Sequence, residues 1–135
     1  WEILQMLNKE NITVLVSTSY MDEASLCNRI ALIQKGKILN INTPAQILSE
    51  FKGHLFAVHS EEIYQLLLLL QEIEWIDNAY ASGQQVNVVL NKKNDVEKLT
   101  ELIEEKNISF SHIQAISPNT EDCFIQLMRS QQENT

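Results

Sequence analysis

The sequence predicts an α/β chain in two units, an incomplete α/β lobe over residues 1–51 and an α+β unit over 53–128. Three observations predict it. "ITVLV" (Ile12 to Val16) is a continuous β-branched run of the kind that lies buried on both faces in a parallel sheet. Helix-like and strand-like segments alternate on either side of it. At Lys52 and Gly53 the pattern changes to one of short alternating strands and long amphipathic helices.

Taken in order, Ile3, Leu4, Met6 and Leu7 mark a short helix that stops between Asn8 and Asn11, and the Ile12–Val16 strand follows. Tyr20 to Cys27 reads as a helix, with Asp22 and Glu23 in the first turn, where the helix dipole favours negative charge. "RIALIQ" is a second strand, "KGKIL" turns at Gly36 into a third extended piece, and Thr43 caps a helix opened by Pro44.

After the boundary, "HLFAVHS" is a strand and Ser60 caps a helix whose Ile63, Leu66, Leu67, Leu70 and Ile73 share one face. Ile76–Ala81 and Gln85–Leu90 form a hairpin joined at Ser82 and Gly83. Asn94 stands three residues before Glu97, a capping-box spacing, at the head of a helix that buries Val96, Leu99, Leu102 and Ile103. "ISFSHIQAI" is the fourth strand. The order βαββαβ is that of the split βαβ, or ferredoxin-like, plan. A C-terminal helix starts after Pro118 with Asn119 as cap and Cys123, Phe124, Leu127 and Met128 as its apolar stripe, and residues 129–135 form a polar tail.

The chain has 135 residues, 44% of them hydrophobic, and a net charge of -8. That composition supports real cores and argues against nucleic acid as a partner, which needs a concentrated basic face. The two cysteines, Cys27 and Cys123, match no metal or redox spacing and suit a reducing compartment. The apolar run Leu66–Leu70 falls far short of the roughly 20 residues that span a bilayer. Trp1 already stands inside an amphipathic pattern, as in a chain cut from a longer one.

No catalytic constellation emerges. A phosphate loop needs clustered glycines followed by Lys and a hydroxyl residue. Around Gly36-Lys37, Ala31 stands for the first glycine and Ile38 for the hydroxyl. His54, His59 and His112 are scattered over strands without metal-ligand spacing, so no metal site is expected. The paired glutamates 61–62, 72 and 74, and 104–105 fall on solvated helix faces. Leu68 and Leu69 exceed what a one-sided helix buries, and either packing on a second side or a partner surface would use them; internal packing is the better reading.

"ITVLVSTSYMDEASLCNRIALIQKGKIL" resembles the ATP-binding subunits of ABC transporters, in the part after the catalytic carboxylate. In that family a buried strand ends in the switch histidine that touches the γ-phosphate, followed by a helix with Glu-Ala, then Cys-Asp-Arg, then a strand-turn-strand with Lys-Gly-Lys. Those places here read Ser19, Glu23-Ala24, Cys27-Asn28-Arg29 and Lys35-Gly36-Lys37. "SPNTEDCFIQLM" is similar to the closing Pro-Ser-x-Glu-Asp-x-Phe stretch of the drug, antibiotic and lipid efflux branch, with Asn119 in place of Ser.

The resemblance implies a nucleotide-binding role for the place of Ser19, and a degenerate one, because a hydroxyl is shorter than an imidazole and carries no proton or charge. Asn28 for Asp is a milder departure. The resemblance further implies an ATPase parent using ATP and Mg, a transmembrane permease subunit and a second nucleotide-binding domain as partners, and a cytoplasmic site on the inner face of the membrane. The segment itself, without phosphate loop or Walker B carboxylates, is expected to bind no cofactor and to be non-catalytic. The βαββαβ unit would be regulatory or dimerising. The rival is a small-molecule-binding module with the hairpin Ala81–Gln85 as its one candidate pocket. Unpaired edges at Ile12–Val16 or Arg29–Ile33 would favour self-association.

Overall fold

Lys35 and Gly36 both adopt positive φ, 48° and 73°, and this left-handed pair folds the chain back on itself. The result is an antiparallel hairpin of β1 (Ile30–Gln34) and β2 (Lys37–Asn42), with a bulge at Leu32/Ile33. The computed structural model describes residues 1–133, so two residues of the polar tail lie outside it. Before β1 come α1 (Glu2–Lys9) and the single turn α2 (Met21–Ala24), and after β2 comes α3 (Pro44–Ser49). Thr43 caps α3 as the sequence predicts, in a full capping box with Gln46.

Residues 54–115 supply β3 (His54–His59), α4 (Ile63–Gln71), β4 (Ile76–Ser82), β5 (Gln85–Leu90), α5 (Asp95–Glu105) and β6 (His112–Ala115). Their four strands form one antiparallel sheet in the order β4-β5-β3-β6. The chain is therefore mixed α/β with two antiparallel sheets. Both α4 and α5 cover one face. Leu66 and Leu70 from α4 and Leu99 and Ile103 from α5 meet Phe56, Val58, Val86, Val88 and Leu90 of the strands. The last helix, α6 (Thr120–Glu133), packs Cys123, Phe124 and Leu127 into a second cluster around Ile30, Leu32 and Ile47.

Several expectations are corrected. Residues 12–16 form no strand among the described residues: Leu15 is 97% exposed and the run pairs with nothing. β-Branched propensity does not hold an extended segment alone; a strand of this type needs neighbours on its edges and layers on its faces. The helix expected over Tyr20–Cys27 is one turn long. Asn94 makes no side-chain cap, its carbonyl instead receiving the Glu97 N–H. The fourth strand is shorter than 108–116, because Asn107 turns at φ 53° and Ile108 and Phe110 pack under the sheet from a loop. Leu68 is 47% exposed, so no second layer covers it.

Candidate functional site

The region around Ser19 is set by a local turn. Thr18 Oγ1 donates to the Glu23 carboxylate at 2.7 Å and accepts the Tyr20 N–H at 3.0 Å. These bonds supply the hydroxyl and carboxylate chemistry that closes the start of α2. Ser19 itself lies exposed at the bend. With Tyr20, Met21, Asp22 and Glu121 it lines a shallow cleft of about 170 Å³. Two carboxylates and no cationic side chain line that cleft.

The other motif residues have structural places. Glu23 is tied to Thr18, and Cys27 packs half-buried against the second cluster. Asn28 Oδ1 accepts the Asn8 side-chain amide at 2.8 Å, which ties the chain after α2 back to α1. Lys35-Gly36 is the β1–β2 turn, and a Cβ built on Gly36 meets nothing within 4 Å. It is an open hairpin turn.

The structure brings together residues that sequence spacing does not. Asp122, 4% exposed, accepts the Tyr80 hydroxyl at 2.6 Å and the Asn87 amide at 3.1 Å on one oxygen, and the Asn119 N–H at 2.8 Å on the other. Asn119 Oδ1 in turn accepts the Asp122 N–H at 2.9 Å, a reciprocal cap that confirms Asn119 as cap. Tyr80 and Asn87 are cross-strand partners. Strand alternation points them away from the face that Ala79 and Val88 give to the helices. Burial, then the hydrogen bond and charge of Asp122, push the Tyr80 hydroxyl well above the usual phenol range. Burial and the nearby Asp122 and Glu50 raise the Cys123 thiol to about 11, so the fold favours its protonated form.

His59 and His112, far apart in sequence, are register partners whose rings stack at 4.1 Å with a 19° tilt. Among the described residues no group of three or more His, Cys, Asp or Glu is placed to hold a metal. No helix there is long and apolar enough to cross a membrane.

No protein-family profile matches the chain. Individual proteins do. Over 130 residues, 95% of this chain, it is 26% identical to the "probable multidrug ABC transporter ATP-binding protein YbhF" of Escherichia coli. Over 132 residues, 93% of this chain, it is 23% identical to the linearmycin resistance ATP-binding protein LnrL of Bacillus subtilis. An uncharacterized ABC transporter ATP-binding protein of Bacillus subtilis, YhcH, is 26% identical over 127 residues.

The chain's relatives are ABC transporter ATP-binding proteins. It spans 22% of the length of the first, 42% of the second and 39% of the third. The similarity to these ABC proteins runs through both sheets and is not confined to the Ser19 region.

Proposed function

We propose that the chain is the C-terminal part of an ABC transporter's ATP-binding protein whose ATP binding and hydrolysis drive export. On this reading residues 1–51 belong to the ATPase lobe and residues 53–128 form a ferredoxin-like accessory domain. The observation that carries it is similarity over more than nine-tenths of the chain to ATP-binding proteins, two of them with multidrug or antibiotic-resistance names. The strand order β4-β5-β3-β6 with both helices on one face supports the ferredoxin-like assignment. Ser19 takes the place of the switch histidine, near where the γ-phosphate of ATP with Mg would lie.

On this reading the chain does not form a nucleotide site of its own. Its three glycines stand apart in sequence, so no glycine-rich loop of this sequence offers clustered backbone N–H groups to a phosphate. Titration calorimetry of the 135-residue chain with MgATP is predicted to give no binding in the micromolar range. Micromolar binding contradicts the reading.

The exposed apolar residues Ile3, Met6, Ile12 and Leu15, with Ile33 and Ile38, favour a covered surface in the working protein. The partners on this reading are a second ATP-binding domain and a membrane permease, at the cytoplasmic membrane face. Left uncovered, the same surface makes this chain self-associate, which light scattering across a concentration series reads directly. Tyr64 and Leu68, exposed on α4, favour a dimerising role for the accessory domain over a ligand pocket at Ala81–Gln85.

A further inference from the structure

One helical turn carries contacts in three directions. Thr120, the first residue of α6 and buried, meets Ser25 at the end of α2, Oγ1 to Oγ 2.7 Å apart. Two residues on, Asp122 is held by Tyr80 and Asn87 of the second sheet. Cys123 then enters the cluster of Ile30, Leu32 and Ile47. Glu121, between Thr120 and Asp122, forms the far wall of the cleft that Ser19, Tyr20, Met21 and Asp22 line.

We infer that the first turn of α6 is a clasp that couples the Ser19–Ser25 segment to the accessory sheet, so that a change at either is felt at the other. The physical ground is the cost of slippage. A buried carboxylate that leaves one of its neutral donors loses a hydrogen bond that water does not readily replace, which holds the turn to β4 and β5. A shift relative to α2 takes the exposed Ser25 hydroxyl away from Thr120, leaving the buried Thr120 Oγ1 without that partner, and opens the cleft wall. A group that displaces Ser19 and α2 therefore pulls the turn against the Tyr80–Asn87 anchor, and a ligand or second copy that alters the sheet pulls the other way. As regulation of an ATP site this rests on the proposed place of Ser19; as a coupling within the chain it does not.

Hydrogen exchange on the whole chain, without nucleotide, tests the coupling. The Ala24, Ser25 and Cys27 amides are hydrogen-bonded within the α2 turn and report on it. In Tyr80→Phe and Asp122→Asn they are expected to exchange about tenfold faster, while the α4 amides stay protected and show the fold intact. Reciprocally, Ser25→Ala is expected to speed exchange in β4 around Tyr80. Tyr80→Phe, which removes a single hydroxyl, serves if Asp122→Asn does not fold. Faster exchange confined to β4, β5 and α6, with the α2 amides unchanged, overturns the inference. That result leaves the ATP reading untouched, because no nucleotide is present, and micromolar MgATP binding in the calorimetric test leaves the clasp untouched.

Discussion

The Tyr80 hydroxyl donates to the buried Asp122 carboxylate at 2.6 Å, joining an outer strand of the second sheet to a helix whose apolar side packs on the first. It is a charge-assisted bond out of water, the kind that fixes orientation as well as contributing stability. Tyr80→Phe keeps the ring and removes only the donor, leaving the carboxylate with Asn87 and the Asn119 N–H. The expected loss is about 1.5–3 kcal/mol, read as a lower urea midpoint with an unchanged slope.

Alkaline pH should weaken the same region. Tyr80 and Cys123 both have folded-state pKa values above their ordinary ones of 10.0 and 9.0, so the fold favours their protonated forms. Their contribution is whole below those ordinary values and is lost as pH rises past them, for Cys123 through about 11. The urea midpoint is predicted to hold from neutral pH to near 9 and to fall above it. Tyr80→Phe should shrink the part of the fall above pH 10, and a midpoint that stays level to pH 11 contradicts the assignment.

Gly53 is the glycine that cannot be replaced cheaply. It sits at φ 91°, and an added Cβ would lie 2.9 Å from Val89 Cγ1 and 3.0 Å from the Leu90 carbonyl oxygen. Gly53→Ala combines a left-handed backbone with a clash against the central strand β5, and about 2–4 kcal/mol of destabilisation is expected. Gly36→Ala meets open space and should cost only about 1 kcal/mol. Chemical denaturation of the pair separates the two effects.

The hairpin and the long helices of residues 54–115 are legible in the sequence because their signals are local and their packing partners lie within that stretch. The α4 positions Leu66 and Leu70 repeat at helical spacing, and Gln85–Leu90 follows a two-residue turn, so pattern and packing agree. The Ile12–Val16 run failed for the opposite reason: its residues ask for a layer on either face, and none of the described residues provides one. The Asp122 network was hidden because Asp122 reads as an ordinary first-turn acid. Its meeting with Tyr80, a residue 42 positions away, depends on which way β4 faces and on where α6 is laid down. The stacking of His59 on His112 likewise follows from strand register, which the sequence does not print. Ser19 could be singled out by motif order alone, and its acidic cleft appears only once Glu121 is brought beside Asp22.

The most direct measurement follows from the proposed function: the ATP turnover of the ATP-binding protein of which this chain is proposed to be part, compared with that of its Ser19→His variant. If Ser19 stands where an imidazole would meet the γ-phosphate, restoring that imidazole should raise turnover by about tenfold or more. Turnover that stays at the wild-type rate, with the variant folded and nucleotide still bound, contradicts the placement of Ser19 at the phosphate.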